Sequence, residues 1–272
     1  MQNRTIIEPH ASSLKHKLRE LWQYRELLLM LAYRDFRVKY AQAFLGFAWA
    51  LINPLINLVS LSFVFHRVAN ISTGDTPPIL FTLIGLAGWT YFSEVFSTAG
   101  DSIIGAQQMV KKIYFPRLII PLSKAITALI DLGIVLALLL LLLIYYRVSP
   151  GSNLLFFPLF LILAIMAGLT GGLWLSALTI RFRDFKYISP LFLRIGIFIT
   201  PIAYPASAVP EAYLFWYFLN PLAGIIEGFR WSLTGTVPLP VYAFVGFALL
   251  IILFVGSLLY FSKVEEVIAD VL

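Results

Sequence analysis

Long apolar segments alternate with short polar segments along this chain of 272 residues. A helix needs about 20 mostly apolar residues to cross the hydrocarbon core of a bilayer. Six apolar segments approach or exceed that length, and they predict an all-α polytopic membrane protein with six transmembrane helices. The predicted spans cover residues 44–65, 79–104, 118–146, 154–180, 188–204 and 241–262.

Residues 12–29 carry a different pattern. Leucines and Trp22 recur at helical spacing, and Lys, Arg and Glu occupy much of the remaining surface. This pattern predicts an N-terminal amphipathic helix in the membrane interface. An amphipathic helix packed on protein is the alternative, but the chain shows no soluble domain on which it could pack. A basic and aromatic segment, residues 34–40, follows this helix.

Residues 201–240 contain six prolines and separate the last two predicted spans. The apolar pieces between these prolines, within about residues 211–233, are too short to cross a bilayer. We predict two short re-entrant helices that enter the membrane from the outer face, where non-helical backbone needs shielding by protein or a water-filled cavity. A hairpin on the outer leaflet is the alternative. Glu227 and Arg230 lie three positions apart, so they can pair on one helix face.

The basic residues are concentrated in the loops on one side of the predicted spans. Most of the 20 Lys and Arg residues lie before Leu45, at 111–124, at 181–194, or at Lys263. Because cytoplasmic loops accumulate Lys and Arg, both termini are expected in the cytoplasm. The chain then divides into a cytoplasmic N-terminal segment (1–43), a transmembrane domain (44–262) and a cytoplasmic tail (263–272).

Composition narrows the function classes further. The chain is 60% hydrophobic and 12% charged, which is typical of an integral membrane protein. Its net charge of +6 comes from the basic loops, so we expect no nucleic-acid partner. Without Cys, and with three scattered His, it offers neither thiol chemistry nor an expected metal site. No Lys follows a Gly, so a phosphate-binding loop is absent. We expect a transport subunit rather than an enzyme such as a sugar-lipid transferase.

Glu94, Asp101 and Asp131 are acids within the predicted spans. Each would cost about 2.5–3.5 kcal/mol at the centre of a membrane, which makes each a candidate functional residue. Asp101 lies near an inner helix end, where a structural role suffices. For Glu94 and Asp131, bonds across helices and a functional role stay equally open. A proton-coupled carrier that uses these two acids is therefore one candidate function.

Aromatic residues make up 15% of the chain, and some of them must form belts at the membrane interfaces. Flat aromatic faces also suit sugar rings, whose C–H faces are weakly apolar. For each residue, an interface or packing role is the alternative to contact with a substrate. The candidate path-lining aromatics are Trp49, Trp89, Tyr91, Phe92, Phe198 and Tyr204.

Several motifs follow one another along the chain. They are RDFRVKY (34–40), LGFAWA (45–50) before Asn53-Pro54, VKKIYFPR (110–117), RFRD (181–184) and NPLAGIIEGFRW (220–231). In this order, on a six-span topology, they resemble the ABC-2 type permeases that export bacterial polysaccharides such as O antigen, teichoic acid and capsule. The resemblance covers about residues 12–262, but it does not identify the polymer.

The resemblance implies a homodimer in the bacterial inner membrane, with a separate cytosolic ABC ATPase bound to each subunit. That partner would hold ATP and Mg, so no cofactor is expected in this chain. The substrate would be a lipid-linked polysaccharide, and export of O antigen would serve lipopolysaccharide biosynthesis. An ABC-2 permease for drugs or small lipids is the alternative with the same fold. The re-entrant helices would resemble a periplasmic gate, whose candidate residues are Phe215, Trp216, Glu227 and Arg230.

The missing phosphate loop means that ATP energy must enter through a cytosolic contact. We expect ATPase docking on the N-terminal helix and the 105–117 loop, supported by 181–187; contact with anionic membrane lipids is the alternative. Arg34, Arg37 and Lys39 are candidates for the carrier pyrophosphate, since Arg matches phosphate oxygens in pairs. Headgroup snorkelling is their ordinary role. The ATPase-coupling candidates are Gln107, Lys111, Lys112, Tyr114, Arg117, Arg183 and Asp184.

Overall fold

The computed structural model describes residues 14–41, 48–182, 184–235 and 238–271, so the start of the first predicted span and Arg183 lie outside the described residues. Within these ranges the chain forms helices and no strand, which confirms the all-α prediction. The α-helices are α1 Leu14–Gln23, α2 Arg25–Ala41, α3 Trp49–Ser62, α4 Pro78–Gly105, α5 Gln107–Lys112, α6 Ile119–Tyr145, α7 Phe157–Arg181, α8 Phe185–Ile199, α9 Glu211–Phe218, α10 Pro221–Thr234 and α11 Ala243–Val271.

Five helical segments of the described chain are long and apolar enough to cross a membrane. The predicted fifth span, 188–204, is not among them, because α8 has 15 residues and ends at Ile199. Thr200 is extended, as expected for a residue before a proline. Helix length therefore leaves the six-span count unconfirmed. The five segments are Trp49–Val68, Pro78–Gly105, Ile119–Tyr145, Ser152–Arg181 and Ala243–Glu265.

Helix α4 lies at the centre of the bundle, where it packs against α3, α6, α7, α8 and α10. Its contact with α7 is close because small residues face each other. A Cβ added to Gly172 would lie 2.7 Å from the Cβ of Ala99, and one added to Gly168 would lie 2.9 Å from Val95. Small residues of this kind let membrane helices approach closely, so that van der Waals packing can hold them together.

The two ends of the bundle differ in composition. At one end, here called the basic end, α5 and the residues after it connect α4 to α6. Buried Leu31, Phe115, Ile119 and Phe261 belong to one apolar cluster at this end, which joins α2, α6 and α11. The opposite end carries α9 and α10 and is called the proline-rich end.

The predicted helix over residues 12–29 forms two helices, α1 and α2, that meet at Tyr24. Helix α2 extends to Ala41, so it includes the segment 34–40 that the sequence placed after the helix. One face of α2 packs along α6 and buries Ala32. Packing on protein, the alternative weighed from sequence, therefore applies to this face. Trp22 and other apolar side chains of α1 and α2 remain exposed, as an interface helix requires.

At the proline-rich end, α9 and α10 form a pair of short helices. The side-chain oxygen of Asn220 accepts a hydrogen bond from the N–H of Leu222 and so caps α10. Gly235, with φ 67°, ends α10 in the left-handed conformation that glycine favours. Helix α10 is almost entirely buried against α4, α7 and α11, whereas most of α9 is exposed. A purely superficial hairpin therefore does not describe α10.

Candidate functional site

The predicted ATPase-coupling residues lie around an exposed turn at the basic end. Lys111 and Lys112 are exposed at the end of α5, while Gln107 at its start is half-buried. Beyond them the side chains of Ile113 and Tyr114 are 62% and 63% exposed. Exposed apolar side chains beside two lysines make this turn a candidate contact surface for another protein.

The turn is attached to the bundle by three contacts. Phe115 is buried in the apolar cluster of the basic end. The backbone N–H of Arg117 donates to Glu265 Oε1 at 3.0 Å, and its guanidinium donates to the carbonyl oxygen of Glu265 on α11. The Tyr114 hydroxyl lies 3.4 Å from Glu20 on α1, and partial burial together with this carboxylate raises the pKa of Tyr114.

These contacts separate the predicted coupling residues into two groups. Arg117 bonds to Glu265 on α11, so its observed role is to attach the turn, whereas Lys111 and Lys112 are exposed and Tyr114 is exposed but also contacts Glu20. Asp184, another predicted coupling residue, is exposed just before α8 and is not part of this turn. Glu20 and Glu265 were missed from the sequence because both lie in other helices, and no local pattern links them to the turn.

Helix α2 is attached to α6 by polar contacts along its length. The Thr127 hydroxyl donates to the carbonyl oxygen of Ala32 at 3.1 Å, and Lys124 lies 2.7 Å from Asp35. Asp35 also pairs with Arg34 at 2.8 Å. Arg34 and Lys124 border a cavity of about 480 Å³ together with Asp101. Of the predicted carrier-binding residues, Arg34 is thus paired within α2.

Arg37 is exposed on α2, and its guanidinium lies 6.0 Å from the ring centroid of Tyr33. This arrangement is a weak cation–π contact. Among the three predicted carrier-binding residues, Arg37 therefore keeps its charged group most available to a headgroup in this structure.

Lys39, Tyr40, Glu94 and Asp131 form a polar cluster, here called the Lys39 cluster. The ammonium nitrogen of Lys39 lies 2.7 Å from Glu94 Oε1 and 2.7 Å from Asp131 Oδ2. The Tyr40 hydroxyl donates to the other oxygen of Asp131. Burial by itself would lower the pKa of Lys39, but the hydrogen bonds to Asp131 and Glu94 raise it above its ordinary value. Both span acids whose roles the sequence left open therefore share one lysine.

The Lys39 cluster borders a cavity of about 330 Å³ between α2, α3, α4 and α6. On the α3 side this cavity is lined by Trp49, Asn53 and Asn57, which lie four positions apart along one helix face. The sequence placed both asparagines in the first span, but neither was predicted as a site residue, although their spacing puts both on one helix face.

The predicted pair Glu227 and Arg230 is present and buried, with exposed fractions of 5% and 3% and a distance of 2.9 Å between Arg230 Nη1 and Glu227 Oε1. Arg230 Nη2 also donates to the carbonyl oxygens of Pro201 and Ile202 at 2.5 and 2.7 Å. Glu227 accepts from the N–H of Ala206 at 3.1 Å. The pair therefore joins α10 to the non-helical segment that follows α8.

Further contacts of Tyr204 and Arg230 support this arrangement. The Tyr204 hydroxyl donates to the carbonyl oxygen of Ile199 at 2.7 Å and lies 3.1 Å from the hydroxyl of Tyr217 on α9. Phe81 on α4 lies under the guanidinium of Arg230, with 3.6 Å between the guanidinium carbon and the ring centroid. The predicted gate aromatics Phe215 and Trp216 are exposed on α9 and are not part of this network.

The candidate path-lining aromatics fall into two groups. Trp89, Tyr91 and Phe92 are buried in the core around α4, which favours the packing alternative for Trp89 and Phe92, whereas Tyr91 also borders the cavity beside the Lys39 cluster. Trp49 and Phe198 are exposed on α3 and α8, and Tyr204 is half-buried in the segment after α8. Sequence could not separate these groups, because all six residues lie in similarly apolar segments.

The fold and these contacts define an α-helical integral membrane protein. Its polar clusters join helices, and no group of three or more His, Asp or Glu suited to a metal ion occurs among the residues described. Residues 26–234 match the family model described as ABC-2 type transporter. This match covers most of the chain, and the chain belongs to the ABC-2 type transporter family.

Three relatives illustrate the similarity. The chain is 28% identical over 215 residues to the O-antigen export system permease protein RfbA of Myxococcus xanthus, covering 78% of this chain and 82% of that protein. It is 27% identical over 249 residues to RfbA of Klebsiella pneumoniae, covering 91% and 95%. It is 26% identical over 258 residues to the polysialic acid transport protein KpsM of Escherichia coli, covering 87% and 93%.

Proposed function

We propose that this chain is the permease subunit of an ATP-driven exporter that moves a lipid-linked polysaccharide, such as O antigen, from the cytoplasm across the inner membrane. The observation that carries the proposal is similarity over nearly the full chain to O-antigen export permeases. KpsM, named as a polysialic acid transport protein, is a second polysaccharide relative. None of these relatives is named as a drug or small-lipid permease, so the alternative permease is not favoured.

A cytosolic ATPase pair is the proposed energy source. The turn at Ile113 and Tyr114 supports this, because it exposes apolar and basic side chains on a base fixed by Phe115. Since α4 ends just before α5 and α6 begins just after this turn, force applied there reaches two central helices directly. The basic end would face the cytoplasm, as the distribution of Lys and Arg predicts.

The Lys39 cluster argues against the proton-coupled carrier. That alternative required Glu94 and Asp131 to act as free proton-binding acids in the membrane. Each carboxylate instead lies 2.7 Å from the same ammonium group, so both acids are engaged in ion pairs that join helices. We therefore assign these acids to helix association within an ATP-driven permease.

The first span supports a homodimer. In the segment Trp49–Val68 only 11% of the most apolar stretch is buried within this chain. Its exposed residues include Asn53 and Asn57, which also border the cavity beside the Lys39 cluster. Polar side chains in a span face protein or a water-filled cavity rather than lipid. A second copy of the chain, or a path between two copies, would meet this requirement.

The proposed topology keeps six membrane crossings and two re-entrant helices. Helix α8 is short, but the segment from Thr200 to Tyr204 continues beyond it and is largely buried. Together they provide the length of the predicted fifth crossing. Helices α9 and α10, of 8 and 14 residues, are too short to cross and would enter the membrane from the proline-rich end.

Reconstitution tests the proposed function. The permease and its partner ATPase are placed in vesicles, and translocation of a lipid-linked glycan is followed with an externally added glycan-modifying enzyme. We expect translocation that requires ATP and continues after the proton gradient is collapsed. A partner whose ATPase site is inactivated is the matched control. Export of a small amphiphilic drug, with no glycan export, would favour the alternative permease, and dependence on the proton gradient would favour the carrier.

A further inference from the structure

The Lys39 cluster joins three helices at a single point. Lys39 and Tyr40 belong to α2, Glu94 to α4, and Asp131 to α6. The lysine is separated by 55 positions from one acid and by 92 from the other, so the contact exists only in the folded bundle. Side-chain exposures of 37% for Lys39 and Glu94 and 22% for Asp131 show that the cluster is not sealed within this chain.

The charge of the Lys39 cluster opposes a role in holding an anion. Two carboxylates face one ammonium group, so the cluster is net negative. A pyrophosphate would be repelled by the two acids, and it would have to displace both of them from Lys39. The sequence-based assignment of Lys39 to the carrier headgroup is therefore not supported by its surroundings.

The Lys39 cluster lies close to the start of the first span. Lys39 lies near the end of α2, and Trp49 begins α3 shortly afterwards. The cavity beside the cluster is bounded by both helices, and α3 packs on α4 and α6, the two helices that the cluster joins to α2. The position of α2 on α4 and α6 therefore limits where the first span can begin.

We propose that Lys39 is a positioning residue that holds α2 to α4 and α6 and thereby passes movement of the basic end to the first span. This inference rests on the proposed function, in which an ATPase supplies that movement. Glu94 Oε1 and Asp131 Oδ2 each lie 2.7 Å from the Lys39 nitrogen, so these two oxygens are at most twice that distance apart. Without the lysine they repel each other, and α4, α6 and α2 lose their common contact.

Charge variants in the reconstituted complex test the proposal. Lys39→Glu should lower glycan transport about tenfold or more, a coupling effect of ordinary size, while ATP hydrolysis persists. The double variant Lys39→Glu/Asp131→Lys restores one cation between two acids. It should recover transport to within about threefold of the wild type if the charge arrangement matters rather than the lysine itself.

Lys263→Glu is the matched control. Lys263 is an exposed basic residue of α11, with no salt bridge among the described side chains, and its substitution makes the same change in charge. We expect transport close to wild type. Failure of the double variant to recover, together with a raised KM for the lipid-linked glycan, would instead make Lys39 a headgroup ligand and overturn the proposal.

A distance measurement separates this proposal from the proposed function. The chain has no Cys, so spin labels can be attached at Val38→Cys on α2 and Ile130→Cys on α6, both exposed. Labelled subunits are diluted with unlabelled ones so that distances within one chain dominate. Lys39→Glu should broaden or lengthen the distance distribution, and the double variant should return it to that of the wild type.

The transport assay and the distance measurement have distinct outcomes. If the wild-type complex moves no glycan but the distances change as expected, the proposed function fails and the positioning role of Lys39 stands. If Lys39→Glu leaves the distances unchanged, the positioning role is overturned whatever the substrate.

Discussion

Arg230 is a buried basic side chain inside an apolar bundle, and its planar guanidinium explains how it is tolerated. One nitrogen binds the Glu227 carboxylate, a second binds two backbone carbonyl oxygens, and Phe81 covers one face. The two carbonyls belong to a proline-containing segment that is not helical, so they need a donor from elsewhere. The Arg230 side chain thus donates hydrogen bonds to backbone carbonyl oxygens that lie beyond the end of α8.

At the scale of single residues, Arg230→Met should destabilise the protein by about 3–5 kcal/mol, because it leaves the buried Glu227 charge without a partner. The double variant Glu227→Gln/Arg230→Met should be less destabilised than the single variant, since no buried charge remains. Thermal unfolding of the purified protein in detergent measures both effects.

Arg194→Met is the control for this comparison, because Arg194 is exposed on α8. It should change stability by no more than about 0.5 kcal/mol. Equal stability of Arg230→Met and the wild type would mean that the pair does not hold the proline-rich end together.

At the scale of elements, short helices at both ends are positioned by buried anchors and present exposed side chains. Phe115 and Arg117 anchor the turn after α5, while Tyr114 is exposed. Helix α9 is similar, with Phe218 fully buried and Trp216 exposed. Because the buried anchors and the exposed side chains are different residues, substitutions at the exposed positions can change binding without unfolding the bundle.

Tyr114→Ala combined with Lys111→Glu should prevent co-purification of the partner ATPase, because it removes an exposed ring and reverses a charge on the proposed docking turn. Truncation of a central interface residue commonly costs 2 kcal/mol or more, which is about thirtyfold in affinity. Tyr145→Ala is the control for loss of the ring, since Tyr145 is also exposed, at the far end of α6. Normal ATPase binding by the first variant would move the docking surface elsewhere.

The re-entrant arrangement predicts slow labelling of a cysteine at Trp216. Thiolate is the reactive form, and an apolar environment disfavours it. In intact cells, Trp216→Cys should therefore react with a membrane-impermeant maleimide at least about tenfold more slowly than Asp75→Cys, which lies in the exposed turn before α4. Equal rates at both positions would indicate that α9 lies on the outer surface.

At the scale of the whole molecule, α3 is the span that this chain leaves most exposed. Its neighbours α4 and α6 pack against each other and against α7. An exposed helix that carries Asn53 and Asn57 is incomplete in lipid, and a second subunit would complete it.

Asn57→Cys should therefore form a covalent dimer with a short bismaleimide in native membranes. Leu140→Cys is the control, since Leu140 is exposed on an entirely apolar face of α6 and should stay monomeric under the same treatment. A dimer formed through position 140 alone would place the subunit interface on α6 instead of α3.

The sequence by itself determined the all-α membrane class, four spans close to their observed limits, and the Glu227–Arg230 pair, because these depend on segment length and on residues three positions apart. The tertiary structure decided the rest. It ended α8 early, buried Trp89 in the core, attached Arg117 to α11, and brought Lys39 to two acids that are 55 and 92 positions away. The physical reason is that periodicity describes one helix at a time, whereas ion pairs and burial depend on which helices become neighbours.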